Sequence, residues 1–164
     1  PSMAIRTLLP DELILAKTVF QNSILYSKVR LQNDLGMGGI PWTSPPIVVF
    51  PYYVLHVGSY YQHMTTTNYR RKLLIHELTH VWQGQHGVPK GYVLNSAYHQ
   101  SLSSITNGGD VAPAYSYTTG LKWAQYNCEQ QASIVEDWFS NGSSSSDSRY
   151  VYITTNIRPG NPWA

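Results

Sequence analysis

The run His76-Glu77-Leu78-Thr79-His80 constrains this chain more than any other stretch, because its two imidazoles can act together only on an α-helix. Helical residues four apart stack on one face, so His76 and His80 can bind one ion while Glu77 leans toward the remaining coordination positions. A helix is therefore required here, with one side shielded from water. The residue types indicate the chemistry. Zinc held by imidazoles polarises a carbonyl and acidifies a water, and a neighbouring carboxylate can take that water's proton and deliver it to a leaving amine.

The surrounding sequence predicts that helix from Asn68 to about Gln83, with Thr67 as N-cap and Gly84 and Gly87 ending it. Leu74, Ile75, Leu78, Val81 and Trp82 form a core-facing stripe at spacings of one, three and four. Leu73, His76, His80 and Gln83 lie on the adjacent face, which puts the ligand pair beside the buried stripe.

A catalytic zinc usually takes three protein ligands and keeps one position open. The candidates for the third are Glu129, Glu136, His86, His99, Asp110, His56 and His63. His86, six residues after His80, matches the spacing of the metzincin pattern. That pattern wants Gly at position 83, where this chain has Gln83, and a later methionine turn, whereas the last Met is Met64. Glu129 is the better candidate. It sits near the start of a second amphipathic segment, Ala124 to Phe139, where Ala132 and Ser133 leave a small face that can approach the first helix closely. Glu136 is the reserve ligand, or an outer carboxylate accepting the second ring N–H of a ligand histidine.

HELTHVWQ, a tyrosine-rich stretch and then EQQASIVEDWF together resemble bacterial toxin-type zincin domains. They are similar in particular to the metallopeptidase effector domains at the C-terminus of type VI secretion spike proteins of the VgrG kind, over about residues 66 to 140. The resemblance implies His76, His80 and Glu129 as zinc ligands in a gluzincin-like arrangement and Glu77 as general base. It also implies a peptide or protein substrate, an immunity protein, a spike fusion partner, secretion by a type VI system and action in the periplasm of a target bacterium. Thermolysin-type enzymes carry Asp four residues after the ligand Glu, and this chain has Ser133.

With 164 residues the chain suits one domain, residues 1–164, and no segment is long and apolar enough to span a membrane. Pro1-Ser2-Met3 reads as a cloning remnant ahead of a domain excised from a larger secreted protein. Charged residues are only 12%, about half the usual share, and a net charge of +2 gives no reason to expect nucleic acid. Cys128 is the only cysteine, so no disulfide forms within the chain, and its simplest role is that of a small buried residue.

Elsewhere the pattern predicts a helix from Pro10 to about Tyr26, extended segments at Ser27–Leu31, Ile47–Phe50 and Tyr53–Val57, and a Gly/Pro loop from Gly36 to Pro46. A further helix is expected over Tyr92 to Ser104, a short extended piece at Tyr115–Thr118 and a C-terminal strand at Tyr150–Thr155. An oxyanion donor opposite Glu77 is sought among His99, Tyr115 and Tyr117, with Tyr117 ranked first and His99 second. The expectation is an α+β zincin-like metallopeptidase domain in which a small sheet packs on the His-Glu helix and a second helix carries the glutamate. Its rivals are a zinc-stabilised binding or adaptor module without catalysis, which would have no use for Glu77, and a zinc amidase acting on cell-wall peptide.

Overall fold

The computed structural model describes residues 2–87 and 115–164. Its elements in chain order are β1 (Ile5–Arg6), α1 (Pro10–Phe20), β2 (Val29–Gln32), β3 (Trp42–Ser44), β4 (Tyr53–His56), α2 (Asn68–Gln85), α3 (Cys128–Ser140) and α4 (Tyr150–Tyr152). The architecture is α+β. A small mixed sheet runs in the order β1-β2-β4-β3, with β2 and β4 parallel and both outer pairs antiparallel. Every residue of β4 is buried, as expected for a strand flanked on both sides.

The long helix α2 is the keel of the domain. Thr67 caps it by accepting the Arg70 N–H, and Leu74, Ile75, Leu78, Val81 and Trp82 are all fully buried. It packs most extensively on α3 and also meets α1, β3 and β4. Gly84 does not end α2. It lies inside the helix because a Cβ there would fall 2.4 Å from the Tyr53 hydroxyl oxygen, so its bare backbone lets β4 approach. The helix stops one residue later, with Gly87 following at φ 88°.

Several boundaries differ from the pattern-based reading for local reasons. Helix α1 ends at Phe20, where Gln21 turns to φ 53°, and Tyr26–Lys28 form a short 3₁₀ turn before β2. Helix α3 starts at Cys128, because Asn127 and Gln130 form a reciprocal capping box that sets the start. The expected Gly36–Pro46 loop contains β3. The expected strand Ile47–Phe50 is a tight turn closed by an isolated bridge between its ends.

The C-terminal strand expected at Tyr150–Thr155 is helical, with α4 running into a π-helical turn, Ile153–Ile157. Asp147 starts it, its carboxylate accepting the Arg149 N–H at 2.9 Å and its carbonyl the Tyr150 N–H at 2.9 Å. The buried positions Tyr152, Ile153, Asn156 and Ile157 repeat at helical spacing, and the Trp82 indole donates to the Ile157 carbonyl. The stretch 115–118 joins no strand of the sheet. Tyr92–Ser104 lies outside the described residues. Among the described residues no helix is long and apolar enough to cross a membrane.

Candidate metal centre

Helical spacing points the His76 and His80 rings the same way from α2, and the small residues Ala132 and Ser133 let α3 close on that face. Glu129 thereby reaches both rings. Its Oε2 lies 3.1 Å from His76 Nε2 and its Oε1 lies 3.3 Å from His80 Nε2. All three residues are at most 6% exposed, and one ligand atom from each falls within 4.8 Å of the others.

The outward nitrogen of each imidazole is also held. His76 Nδ1 lies 2.8 Å from Glu136 Oε2, and Glu136 in turn faces Lys72 Nζ at 3.5 Å. His80 Nδ1 lies 2.8 Å from Gln83 Oε1, and the Gln83 amide donates to the Cys128 carbonyl and to Gln131 Oε1. With Nδ1 held from behind in both rings, both Nε2 atoms turn toward Glu129, the orientation in which outer partners set histidines that could bind an ion. Gln83 thus holds a ring at the position where the metzincin pattern would place Gly.

Charge distribution agrees with a cation site. Burial opposes charge on Glu129, yet His80 and His76 hold its carboxyl well below the usual carboxylate range. Burial likewise opposes charge on His76, but Glu129 and Glu136 raise it well above the ordinary imidazole value, and Glu129 raises His80 in the same sense. Without a metal the Glu129 carboxylate therefore pairs with charged rings; once those rings lose their protons, two imidazoles and one carboxylate, dry and pre-oriented, suit zinc in number and type.

Glu77 projects into a cleft of about 230 Å³ that it shares with His76, Leu73, Tyr69 and Tyr115. Its Oε2 accepts a hydrogen bond of 2.6 Å from the hydroxyl of Thr43, the central residue of β3. Trp42 and Ser44, pointing to the other face of β3, are tied to β4. Trp42 stacks on His56 at 4.5 Å, and His56 bridges Ser44 at 2.9 Å and Asp34 at 2.6 Å. Those contacts brace the strand that holds Glu77. Thr43 had no sequence signal as a site residue because it sits in a Gly/Pro-rich stretch, whereas Gln83 falls on the same helix face as His76 and His80 but reads as an ordinary helix amide.

The remaining candidates are dispersed. His56 is engaged by Asp34 and Ser44, His63 follows a surface 3₁₀ turn, and His86 Nε2 meets the Ser23 carbonyl at 2.5 Å. His99 and Asp110 lie outside the described residues. The Tyr117 hydroxyl donates to Asp137 Oδ2 at 2.6 Å and accepts from Arg149 at 3.3 Å, with burial pushing the phenol up to about 12. Its hydroxyl is thus committed to a surface ion pair. Tyr115 instead packs its ring 5.6 Å from that of His76 and lines the cleft with Glu77. Burial, with Glu129 and Glu77 nearby, pushes its phenol far above the ordinary value and keeps it protonated. Burial and Glu129 also push the Cys128 thiol up, which suppresses the thiolate needed for a nucleophile or ligand.

No protein-family model matches the sequence. It is 36% identical over 163 residues to the type VI secretion system spike protein VgrG2b of Pseudomonas aeruginosa, an alignment covering 94% of this chain and 15% of that protein. The solved effector domain of Pseudomonas aeruginosa VgrG2b superposes with a TM-score of 0.64 at 31% identity, over 94% of this chain and 84% of that domain. The chain belongs to the VgrG2b effector-domain family. Membership covers the α+β architecture as a whole, so the α2–α3 pair belongs to a family fold, and the matched segment is only 15% of the spike protein.

Proposed function

We propose that this VgrG2b-type effector domain is a zinc-dependent metallopeptidase with a zincin-like fold, delivered by a type VI secretion spike and acting on a peptide or protein in the periplasm of a target bacterium. Kinship to the VgrG2b effector domain supports the effector role and fusion to a spike, and a toxin of this kind would need an immunity protein in the producing cell. The observation that carries the hydrolytic reading is the convergence of His76, His80 and Glu129 with a glutamate of the same helix in the adjoining cleft.

Zinc held by those three residues would supply Lewis acidity toward a peptide carbonyl and acidify a water molecule. Glu77 would accept a proton from the attacking water and pass it to the leaving amine. Thr43 donates to Oε2, which fixes the carboxylate rotamer and leaves Oε1 as the basic oxygen. Tyr115, protonated and lining the same cleft, donates to the developing oxyanion in preference to Tyr117. Glu136 and Gln83 keep the ligand rings from rotating.

The test compares zinc-loaded wild type with Glu77→Gln on periplasmic extract, counting new peptide N-termini by mass spectrometry, alongside growth of cells exporting each form. New termini and lysis or growth arrest from wild type alone are expected. Equal toxicity of the two forms would sink the peptidase reading in favour of a binding module. Toxicity that needs Glu77 but releases only cell-wall fragments would make the enzyme an amidase.

A further inference from the structure

The turn between β3 and β4 departs from ordinary turn chemistry. Ile47 and Phe50 exchange both backbone hydrogen bonds at 3.1 Å, so Val48 and Val49 form the tip of a two-residue turn. Gly, Asn, Asp and Ser are the usual residues there, and although Val48 and Val49 keep negative φ and so bear no strain, they offer the turn no side-chain hydrogen bond. Yet Val48 is 100% exposed, Val49 85% and Ile47 59%. Pro45, Pro46 and Pro51 flank them, so the aliphatic tip is held on a stiff base. A local rule broken without a packing gain points to a role outside the fold.

What lies behind the tip indicates its partner. Phe50 meets Tyr52 edge-on at 5.0 Å, and two cations, Lys28 at 5.4 Å and Arg30 at 3.9 Å, sit over the Tyr52 ring. Contact by contact, the groups run from cation to aromatic ring to aliphatic tip. Between Glu12 and Glu77 the sequence has a single acid, Asp34, and its carboxylate is paired with His56. The same order runs through a bilayer surface: anionic headgroups, an interface where aromatic rings are enriched, then acyl chains. A protein partner that merely covered the valines would give no reason for cations behind them and so few acids nearby.

We propose that Ile47–Phe50 inserts into the surface of a bilayer containing anionic phospholipids, with Tyr52 at the interface and Lys28 and Arg30 on the phosphates. The domain would then work at a membrane face. This inference does not depend on zinc or on peptide hydrolysis.

The test is co-sedimentation of the 164-residue chain with vesicles of phosphatidylethanolamine and phosphatidylglycerol, and with vesicles of phosphatidylcholine alone. Wild type is expected to pellet with the anionic vesicles and to bind more weakly to the neutral ones and in high salt. The double variant Val48→Asn, Val49→Gly removes the aliphatic tip while supplying good turn residues, so its fold should survive a thermal melt. Its binding should drop at least about tenfold. Lys28→Glu with Arg30→Glu should weaken binding further, by about fivefold for each charge removed. The proposal is overturned if wild type stays in the supernatant, or if the tip variant binds as wild type does. It is equally overturned if the tip variant abolishes a concentration-dependent dimer and leaves vesicle binding intact, since a second copy of the chain would then be the partner.

Discussion

The α2–α3 centre and the Ile47–Phe50 turn invert the usual distribution of polarity in opposite directions. One buries two histidines and two carboxylate-bearing residues, Glu77 and Glu129, with each imidazole nitrogen engaged by a partner. The other leaves three aliphatic residues in water. Buried polar groups cost free energy unless every one is satisfied, so such a centre must recruit partners from many elements. An exposed apolar tip needs only backbone stiff enough to present it. The first is therefore spread over α2, α3 and β3, and the second is confined to a few consecutive residues.

That contrast predicts that the two regions can be damaged independently. The largest effect belongs to the ligands. Elemental analysis of wild type should give roughly one zinc per chain, and His80→Ala and Glu129→Ala should each remove it and abolish turnover, while vesicle binding stays at the wild-type level. Coupled loss of metal and vesicle binding would break the separation. If Glu129→Ala kept its zinc, the third ligand would have to lie elsewhere.

Next in size is the outer shell. Glu136→Gln keeps a hydrogen-bond acceptor for His76 but removes the charge, and zinc affinity measured by chelator competition should fall by about 10- to 100-fold. Thr43→Val should lower kcat by about tenfold at nearly constant KM and zinc content, because it frees the Glu77 carboxylate to rotate. An equal loss in Thr43→Ser, which keeps the hydroxyl, would show that the methyl packing matters and the hydrogen bond does not.

The metal-free centre should also have its own pH signature. Glu129 and Glu136 are held below the ordinary carboxyl value of 4.5 by the histidines beside them, so their contribution is present above it and is lost as pH falls through the folded values. His76 and His80 are raised above the ordinary imidazole value of 6.5 by Glu129 and its neighbours, so their contribution is complete below it and is lost as pH rises through the folded values. Stability of the zinc-free chain from the centre should therefore peak between those limits and decline above neutrality. Zinc reverses the upper arm, since neutral imidazoles are the ligands. Denaturant melts with and without chelator across this range measure it.

The smallest effect is expected at the tip. Val48→Asn with Val49→Gly should change stability by no more than about 0.5 kcal/mol and leave turnover of a soluble peptide unchanged, because those side chains contact little. A larger loss of stability would mean that the turn contributes to folding, and the comparison would need redrawing.

Part of the centre was legible because its geometry is local. His76, Glu77 and His80 follow from helical periodicity, as do the buried stripe of α2 and the cap at Thr67. Glu129 followed less directly, from a second amphipathic segment with a small face. Thr43 was hidden because a three-residue strand between Gly and Pro shows no periodicity, and Ile47–Phe50 was misread because an apolar run looks like a strand whether or not it pairs. The C-terminal helix was missed for a related reason: its aromatic and β-branched residues favour strand, and packing on Trp82 outweighed that preference.

By itself, then, the sequence determined the helix, the facing of its histidines and the presence of a carboxylate beside them, since bond geometry sets what residues one turn apart can do. Only the tertiary structure decided that Glu129 meets both rings while Glu136 stands behind one, that Gln83 holds the other, and that Thr43 reaches Glu77 from 34 residues upstream. Apart from Gln83, which stands one turn from His80 on the same helix, such contacts join elements far apart in the chain. Their partners are selected by packing and by the cost of leaving a buried polar group alone, and neither leaves a spacing to be read.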